Sequence, residues 1–257
     1  MTTGKQELAV ADKQTALATL PEHLRDQVGN RAGKENVGRE DMLIPRLCIS
    51  QSQSPQLNKK MEEYIPDLKV GEFFNSVTGE VYGPKVTVVP LHFFKQYIEF
   101  NPRPAGGGLG GIKKMYPLGS TPPLADLQFT EDDKGNSLQP KATEFKNRMS
   151  LLLKDGKVEP IVVSFKSTGL KTAKKWNFLI AEKNLPAYAY TYNLEVVDQA
   201  KGQLSWKGAE ITRGEFVPAA LFQAAEEFFQ SLQGEGVQID TTGLETEAAP
   251  TTEDTSF

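Results

Sequence analysis

Apolar and polar positions alternate over much of the middle of this chain, and the period lengthens to that of a helix in only a few places. The segment MLIPRLCISQSQSP, which begins at Met42, reads as a strand ending in turn residues at Ser54 and Pro55. GEFFNSVTGEVYG, from Gly71, reads as a hairpin that turns at Thr78 and Gly79. The run KVTVVPLHFFKQYIEF follows from Lys85. Alternate side chains of an extended chain point to opposite faces, so Phe94, Ile98 and Phe100 predict a core face and Phe93, Lys95 and Tyr97 an aromatic, basic one.

Residues 101–124 are interrupted throughout by Gly and Pro, which predicts a loop without regular structure. A second loop around Glu131 to Asn136 precedes a helix predicted over Thr143 to Lys154. The apolar run Pro160 to Phe165 reads as a strand. It leads into a helix for which Ser167 or Thr168 is a suitable N-cap. Leu170, Ala173, Asn177 and Ile180 fall along one side of that helix, and Lys171, Lys174 and Lys175 form a basic stripe on it. Strands over Ala187 to Val197 and Gln203 to Thr212 join at a turn near Lys201 and Gly202. Pro218 to Leu232 closes the pattern as an amphipathic helix, with Leu221, Phe222, Ala225, Phe228, Phe229 and Leu232 at helical spacing.

At the two ends the periodicity fades. Residues 1–40 are rich in Lys, Glu, Gly and Asn, with one short helical stretch around Leu20 to Val28 and a linker-like stretch from Gly29 to Glu40. Beyond Gly234 the composition predicts disorder. The expected organisation is a mobile N-terminal segment (1–40), one domain (41–233) and an acidic tail (234–257). Strands in a meander, an inserted helix and a closing strand pair fit a mainly β fold with some α. The expectation is an OB-type β-barrel with insertions and a C-terminal helix; the competing architecture is a small mixed α+β sheet.

Charge changes this picture most. The formal net charge of -4 argues against a polyanion as partner until it is divided along the chain. From Gly234 to Phe257 there are six acids and no base, whereas Lys141 to Lys183 holds ten bases against four acids. A basic middle set against an acidic end is the footprint of a nucleic-acid binder; a solvated surface beside a solvated tail is the plain alternative. No apolar run approaches the length of a membrane span and the first residues lack a signal-peptide profile, so the expected location is cytoplasmic, without a membrane partner. The single cysteine, Cys48, with only His23 and His92 as imidazoles, leaves no set of nitrogen and sulfur ligands for a metal, and no cofactor is expected.

Single-stranded DNA needs cations that follow its phosphates and flat rings on which unpaired bases stack. Both occur together in three places. Phe93, Lys95 and Tyr97 continue into Arg103, Lys113, Lys114 and Tyr116. Lys166, Lys171, Lys174, Lys175 and Trp176 cluster at the strand-to-helix junction, where Trp176 reads first as a packing residue. Tyr188, Tyr190 and Tyr192 form a row on one strand face, which reads as core before it reads as a platform.

Enzymatic patterns are sparse. The glycines Gly106, Gly108 and Gly111 match a dinucleotide fingerprint, but Pro102, Pro104 and Pro117 surround them where a strand and a helix are required. Glu131, Asp132 and Asp133 beside Lys134, Gly135 and Asn136 look like a surface turn rather than a cation site. The chain is therefore expected not to be an enzyme.

The tail ends in Glu253, Asp254, Thr255, Ser256 and Phe257. It resembles the acidic, Phe-terminated tails of single-stranded-DNA-binding proteins of bacteria and tailed phages, except that Thr255 and Ser256 separate the acids from the final Phe257. The resemblance implies that Glu253, Asp254 and Phe257 form a tip that recruits replication or recombination proteins. The body, from about Asp41 to Gln233, is similar to phage proteins of replication and recombination modules through IPRL…QSQSP, GEFFNSVTGE and FKSTGLKTAKKW. Together these lead to sequence-independent single-stranded-DNA binding in phage replication or recombination. The alternatives are a structural or interaction protein of the virion, a strand-annealing recombinase, and a nuclease. Oligomeric state is not legible.

Overall fold

The computed structural model describes residues 43–101 and 111–232, apart from 132, 134, 136 and 139. The segment 1–40, Arg103 and the tail with Glu253, Asp254 and Phe257 lie outside the described residues. The described chain is mainly β, a curled open half-barrel with two helices. Among the described residues no helix is long and apolar enough to cross a membrane.

The strands are β1 (Arg46–Ile49), β2 (Phe73–Asn75), β3 (Val81–Gly83), β4 (Lys85–Phe100), β5 (Ile112–Met115), β6 (Thr130–Glu131), β7 (Ser137–Leu138), β8 (Ala142–Lys154), β9 (Lys157–Lys166), β10 (Tyr190–Lys201) and β11 (Leu204–Phe216). The helices are α1 (Leu170–Ala181) and α2 (Ala219–Leu232). The main sheet runs in the order β11-β10-β4-β8-β9-β1-β2-β3, with β5 paired to β4 and with β1 parallel to β9. The strands β6 and β7 pair separately.

The hairpin expected in GEFFNSVTGEVYG is present as β2 and β3. Its turn is set by Asn75, whose Oδ1 accepts the N–H groups of Val77 and Thr78, and by Gly79 at φ +69°. Left-handed backbone of that kind favours glycine. The loop predicted over 101–124 does contain regular structure, the strand β5, because pairing with the end of β4 gives Ile112 to Met115 backbone partners that a propensity argument cannot see.

A larger correction concerns Thr143 to Lys154, expected as a helix. These residues form β8, bonded to β4 on one side and β9 on the other. Its buried side chains alternate between two cores, Leu152 on one face and Met149 and Leu151 on the other. A central strand buried on both faces loses the polar-apolar alternation that marks half-buried strands, and its Leu, Met, Lys and Arg content then imitates a helix.

Two apolar clusters sit on opposite faces of the sheet. The inner one joins Leu47, Val88, Ile161, Val163, Tyr192, Leu194 and Ile211 to Ala173 and Trp176 of α1. The outer one joins Val89, Leu91, Met149 and Val162 to Tyr188 and to Ala225 of α2. The apolar stripe expected of α2 faces this cluster, with Ala225 buried and Leu221, Phe222, Phe228, Phe229 and Leu232 half-buried against it.

Two irregularities decide which side chains reach which face. Between Pro90 and Phe93, β4 advances three residues while β8 advances two, so β4 carries one extra residue at a bulge. Pro90 is tolerated there because the pairing with β10 extends only from Lys85 to Val88, so its missing N–H interrupts no ladder on that side. A second shift lies opposite Tyr190 and Tyr192, where β11 advances three residues, from Arg213 to Phe216, against two on β10.

The half-barrel is bridged by a side chain. Just after β1, the amide of Gln51 donates from Nε2 to the Lys207 carbonyl at 2.9 Å and accepts the Lys207 N–H on Oε1 at 2.8 Å. Both backbone groups of Lys207 on edge strand β11 are satisfied this way, as a neighbouring strand would satisfy them.

Candidate nucleic-acid interface

Beyond α1, the long strands β4 and β8 continue along the inner face. There the register sets Phe93 opposite Arg148, Lys95 opposite Lys146 and Tyr97 opposite Glu144. Like charges directly opposed in a ladder cost stability. Glu144 stands 3.9 Å from Lys95 and 4.0 Å from Lys146, so one carboxylate serves both ammonium groups. Lys95 is exposed, whereas Lys146 is 9% exposed and Tyr97 5%. The expected Phe93, Lys95, Tyr97 face therefore exists, but Tyr97 offers no open ring.

Arg148 is the least conventional member. It is 6% exposed, its guanidinium lies 5.2 Å from the Phe93 ring centre and 5.3 Å from that of Trp176, and it donates to Oδ1 of Asn177 on α1. Burial pulls its pKa down to about 10, which leaves it charged at neutral pH. No carboxylate ion-pairs with it among the described residues. The rings and the amide hold the cation by cation–π contact and hydrogen bonding without cancelling its charge.

α1 reaches this place through a short 3-10 turn, Ser167–Gly169, in which Ser167 takes φ +48°. Neither Ser167 nor Thr168 caps the helix with its side chain, contrary to expectation; Gly169 occupies the cap position. Of the four residues expected along one side of this helix, Ala173 is buried, while Leu170, Asn177 and Ile180 are half-buried. The centre of the buried side is Trp176, 1% exposed, with its ring 6.3 Å from Phe165 and 5.9 Å from Tyr192. Trp176 is therefore a core residue rather than an open platform, with the Arg148 guanidinium against its ring.

Lys171, Lys174 and Lys175 are exposed on the outward side of α1, as predicted. Lys175 is bonded to Glu210 at 3.2 Å. Lys171 and Lys174 have no ion-pair partner among the described residues. Lys174 stands one turn from Asn177, so the stripe continues into the Arg148 site.

On β5, Lys113 bonds Glu99 at 2.8 Å, and Lys114 stands 4.3 Å from the ring centre of Tyr116. The Lys113 ammonium holds the Glu99 carboxyl below its usual range, and the carboxylate holds Lys113 above its own. Lys166 does not join this surface. It pairs with Phe145 in the ladder, and its ammonium lies 5.6 Å from the Phe145 ring centre, in the cluster with Ile98 on the other face.

The tyrosine row is broken up. Tyr188 lies in a 3-10 turn, Ala187–Ala189, and meets Phe222 and Phe229 of α2, whereas Tyr192 belongs to the inner core. The 3-10 turn takes Tyr188 out of the row, while Tyr190 and Tyr192 keep their two-residue spacing and both pack on the inner cluster. Tyr190 alone is half-open, stacked on Phe216 with ring centres 4.3 Å apart and with the Arg213 guanidinium 5.3 Å from its own ring centre.

Lys146 and Arg148 were not singled out by sequence, because a helical reading of 143–154 scatters them around a cylinder, and Asn177 was read only as part of one side of its helix. Phe178 was also missed. It is 68% exposed on the outward side of α1, seven residues after Lys171 and four after Lys174. Its helical spacing from the lysines was the available signal.

None of the curated proteins and none of the solved structures matches this chain. A family model described as Pam3 phage gp34-like protein matches residues 12–238. Because that match spans the whole described half-barrel and both helices, the chain belongs to the Pam3 phage gp34-like protein family.

Proposed function

We propose that the chain binds single-stranded DNA without sequence preference during phage DNA replication or recombination, as a binding protein rather than an enzyme. The observation that carries this reading is the opposed pair Lys95 and Lys146, which shares one glutamate beside the buried Arg148. A fold keeps an unfavourable concentration of positive charge at a functional surface when an anion offsets its cost. The lysine stripe of α1 extends the same surface. The finer architecture that goes with this reading is an OB-type barrel, built on the circuit β11-β10-β4-β8-β9-β1 and bridged by Gln51. The acidic tail, with Glu253, Asp254 and Phe257 at its tip, recruits replication or recombination proteins in the host cytoplasm.

The test is a fluorescence-anisotropy titration of labelled oligo-dT across a salt series. Affinity falls with salt at a log-log slope of about -0.7 per phosphate neutralised. Removal of residues 234–257 leaves binding intact or tightens it. Absence of salt-sensitive binding at micromolar protein overturns the proposal.

A further inference from the structure

Cations alone do not distinguish a single strand from a duplex, since both carry phosphates. What a single strand adds is the open face of each base. Three phenylalanine rings are largely open among the described residues, Phe178 at 68% exposure, Phe129 at 64% and Phe216 at 63%. Of these, Phe178 follows the lysine stripe and Phe216 stacks on a tyrosine that lies against an arginine. Phe178 is linked to the lysine stripe by helical spacing, and Phe216 is linked to the same helix through Tyr190, Arg213 and Glu182.

Lys171, Lys174, Lys175 and Phe178 follow one another at helical spacing on the outward side of α1. Glu182 lies one turn beyond Phe178 and accepts a hydrogen bond from Arg213 at 2.6 Å; Arg213 also donates to the carbonyl of Leu179. The same guanidinium lies against Tyr190, and Tyr190 stacks on Phe216 at an interplanar angle of 29°. Tyr190 occupies one face of the Phe216 ring and leaves the other to solvent. The order along the surface is thus cations, ring, anchored arginine, stacked ring pair.

We infer that Phe178 and the Tyr190-backed Phe216 are the stacking platforms that give this surface its selectivity for unpaired bases, with Lys171 and Lys174 holding phosphates on the far side of Phe178 from Phe216. This rests on the single-stranded-DNA reading above and adds a location and a specificity to it. Phe178 is held by the rigid attachment of α1 through Trp176, and Phe216 by Tyr190, so neither ring has to be ordered when a base arrives.

The experiment compares wild type, Phe178→Ala and Phe216→Ala on three labelled probes of equal length: oligo-dT, an abasic oligodeoxynucleotide and a hairpin duplex. Wild type binds oligo-dT more tightly than the other two. Each alanine variant weakens oligo-dT binding by about five- to a hundred-fold, the range for loss of one stacked base, and leaves abasic and duplex binding unchanged. Phe178→Tyr restores the wild-type preference. Circular dichroism stays at wild-type values for both variants; the melting temperature is unchanged for Phe178→Ala and falls slightly for Phe216→Ala, which loses the stacked pair with Tyr190.

Three results overturn the inference. Wild type that prefers oligo-dT while both variants keep that preference removes the rings from the site. Equal weakening on all three probes assigns them to fold or charge. Sedimentation showing that the alanine variants dissociate a dimer, with the preference intact, makes them a contact between copies. Wild type that binds none of the probes refutes the underlying function instead, which is a separate outcome.

Discussion

Gln51 and Lys207, 156 positions apart, are joined by a two-way amide contact that spans the open side of the curled sheet. Each half of it satisfies a backbone group on the edge of β11. Gln51→Ala is expected to destabilise the protein by about 1–3 kcal/mol, the cost of leaving partly buried backbone groups without partners. Gln51→Glu keeps the acceptor and loses the donor, and falls between the two. Urea unfolding at constant slope measures this. An unchanged midpoint for Gln51→Ala means that the strand ladders alone set the curl.

Trp176 anchors α1 in the inner core between Phe165 and Tyr192. Trp176→Ala costs about 3–5 kcal/mol, as for other large aromatic truncations in cores. Scanning calorimetry checks the size of the loss. A loss below about 1 kcal/mol contradicts the packing described here.

Lys95 gives the opposite pattern. Lys95→Gln relieves the opposition to Lys146 and raises stability by about 0.2–1 kcal/mol. If Lys95 contacts phosphate, the same change weakens oligo-dT binding and reduces the salt slope by about 0.7. Stability and affinity moving in opposite directions distinguish a functional lysine from a structural one. Parallel losses in both assign it to the fold.

The Glu99–Lys113 pair carries a pH dependence whose sign follows from the two shifts. Glu99 is held below its ordinary 4.5, first by the hydrogen bond from Lys113, so its contribution to stability is present above 4.5 and is lost as the pH falls through the lowered value. Lys113 is raised above its ordinary 10.5, so its contribution is present below 10.5 and is lost as the pH rises through the raised value. The stability gap between wild type and Lys113→Met is therefore widest between those limits and closes on acidification below 4.5. Unfolding midpoints over a pH series test this, and a gap independent of pH rules the pair out as its source.

Local signals carried the parts of the fold that local chemistry decides. The hairpin at Asn75 to Gly79, the strand over Pro160 to Phe165 and the helix from Ala219 follow from turn residues and short-range periodicity. The strand β8 did not, because its neighbours β4 and β9 supply the bonds that override a helix-like composition. The lysine stripe was legible for the same local reason as α2. The meeting of Lys95, Lys146 and Arg148 was not, since it depends on cross-strand register. The bridge from Gln51 depends on a curl that no window of sequence contains.

The bulge between Pro90 and Phe93 has a further consequence for how this surface varies among relatives. Before it, Val86 and Val88 point inward; after it, Phe93 and Lys95 point inward although their numbering has changed from even to odd. One added residue therefore acts as a phase shifter. Deleting His92 would remove the extra residue and leave a regular ladder in which Phe93 still faces Arg148 and Lys95 still faces Lys146, both pointing inward. Substitutions adjust the charge of this surface one group at a time, whereas loss of the one extra residue straightens β4 and leaves the lining in place.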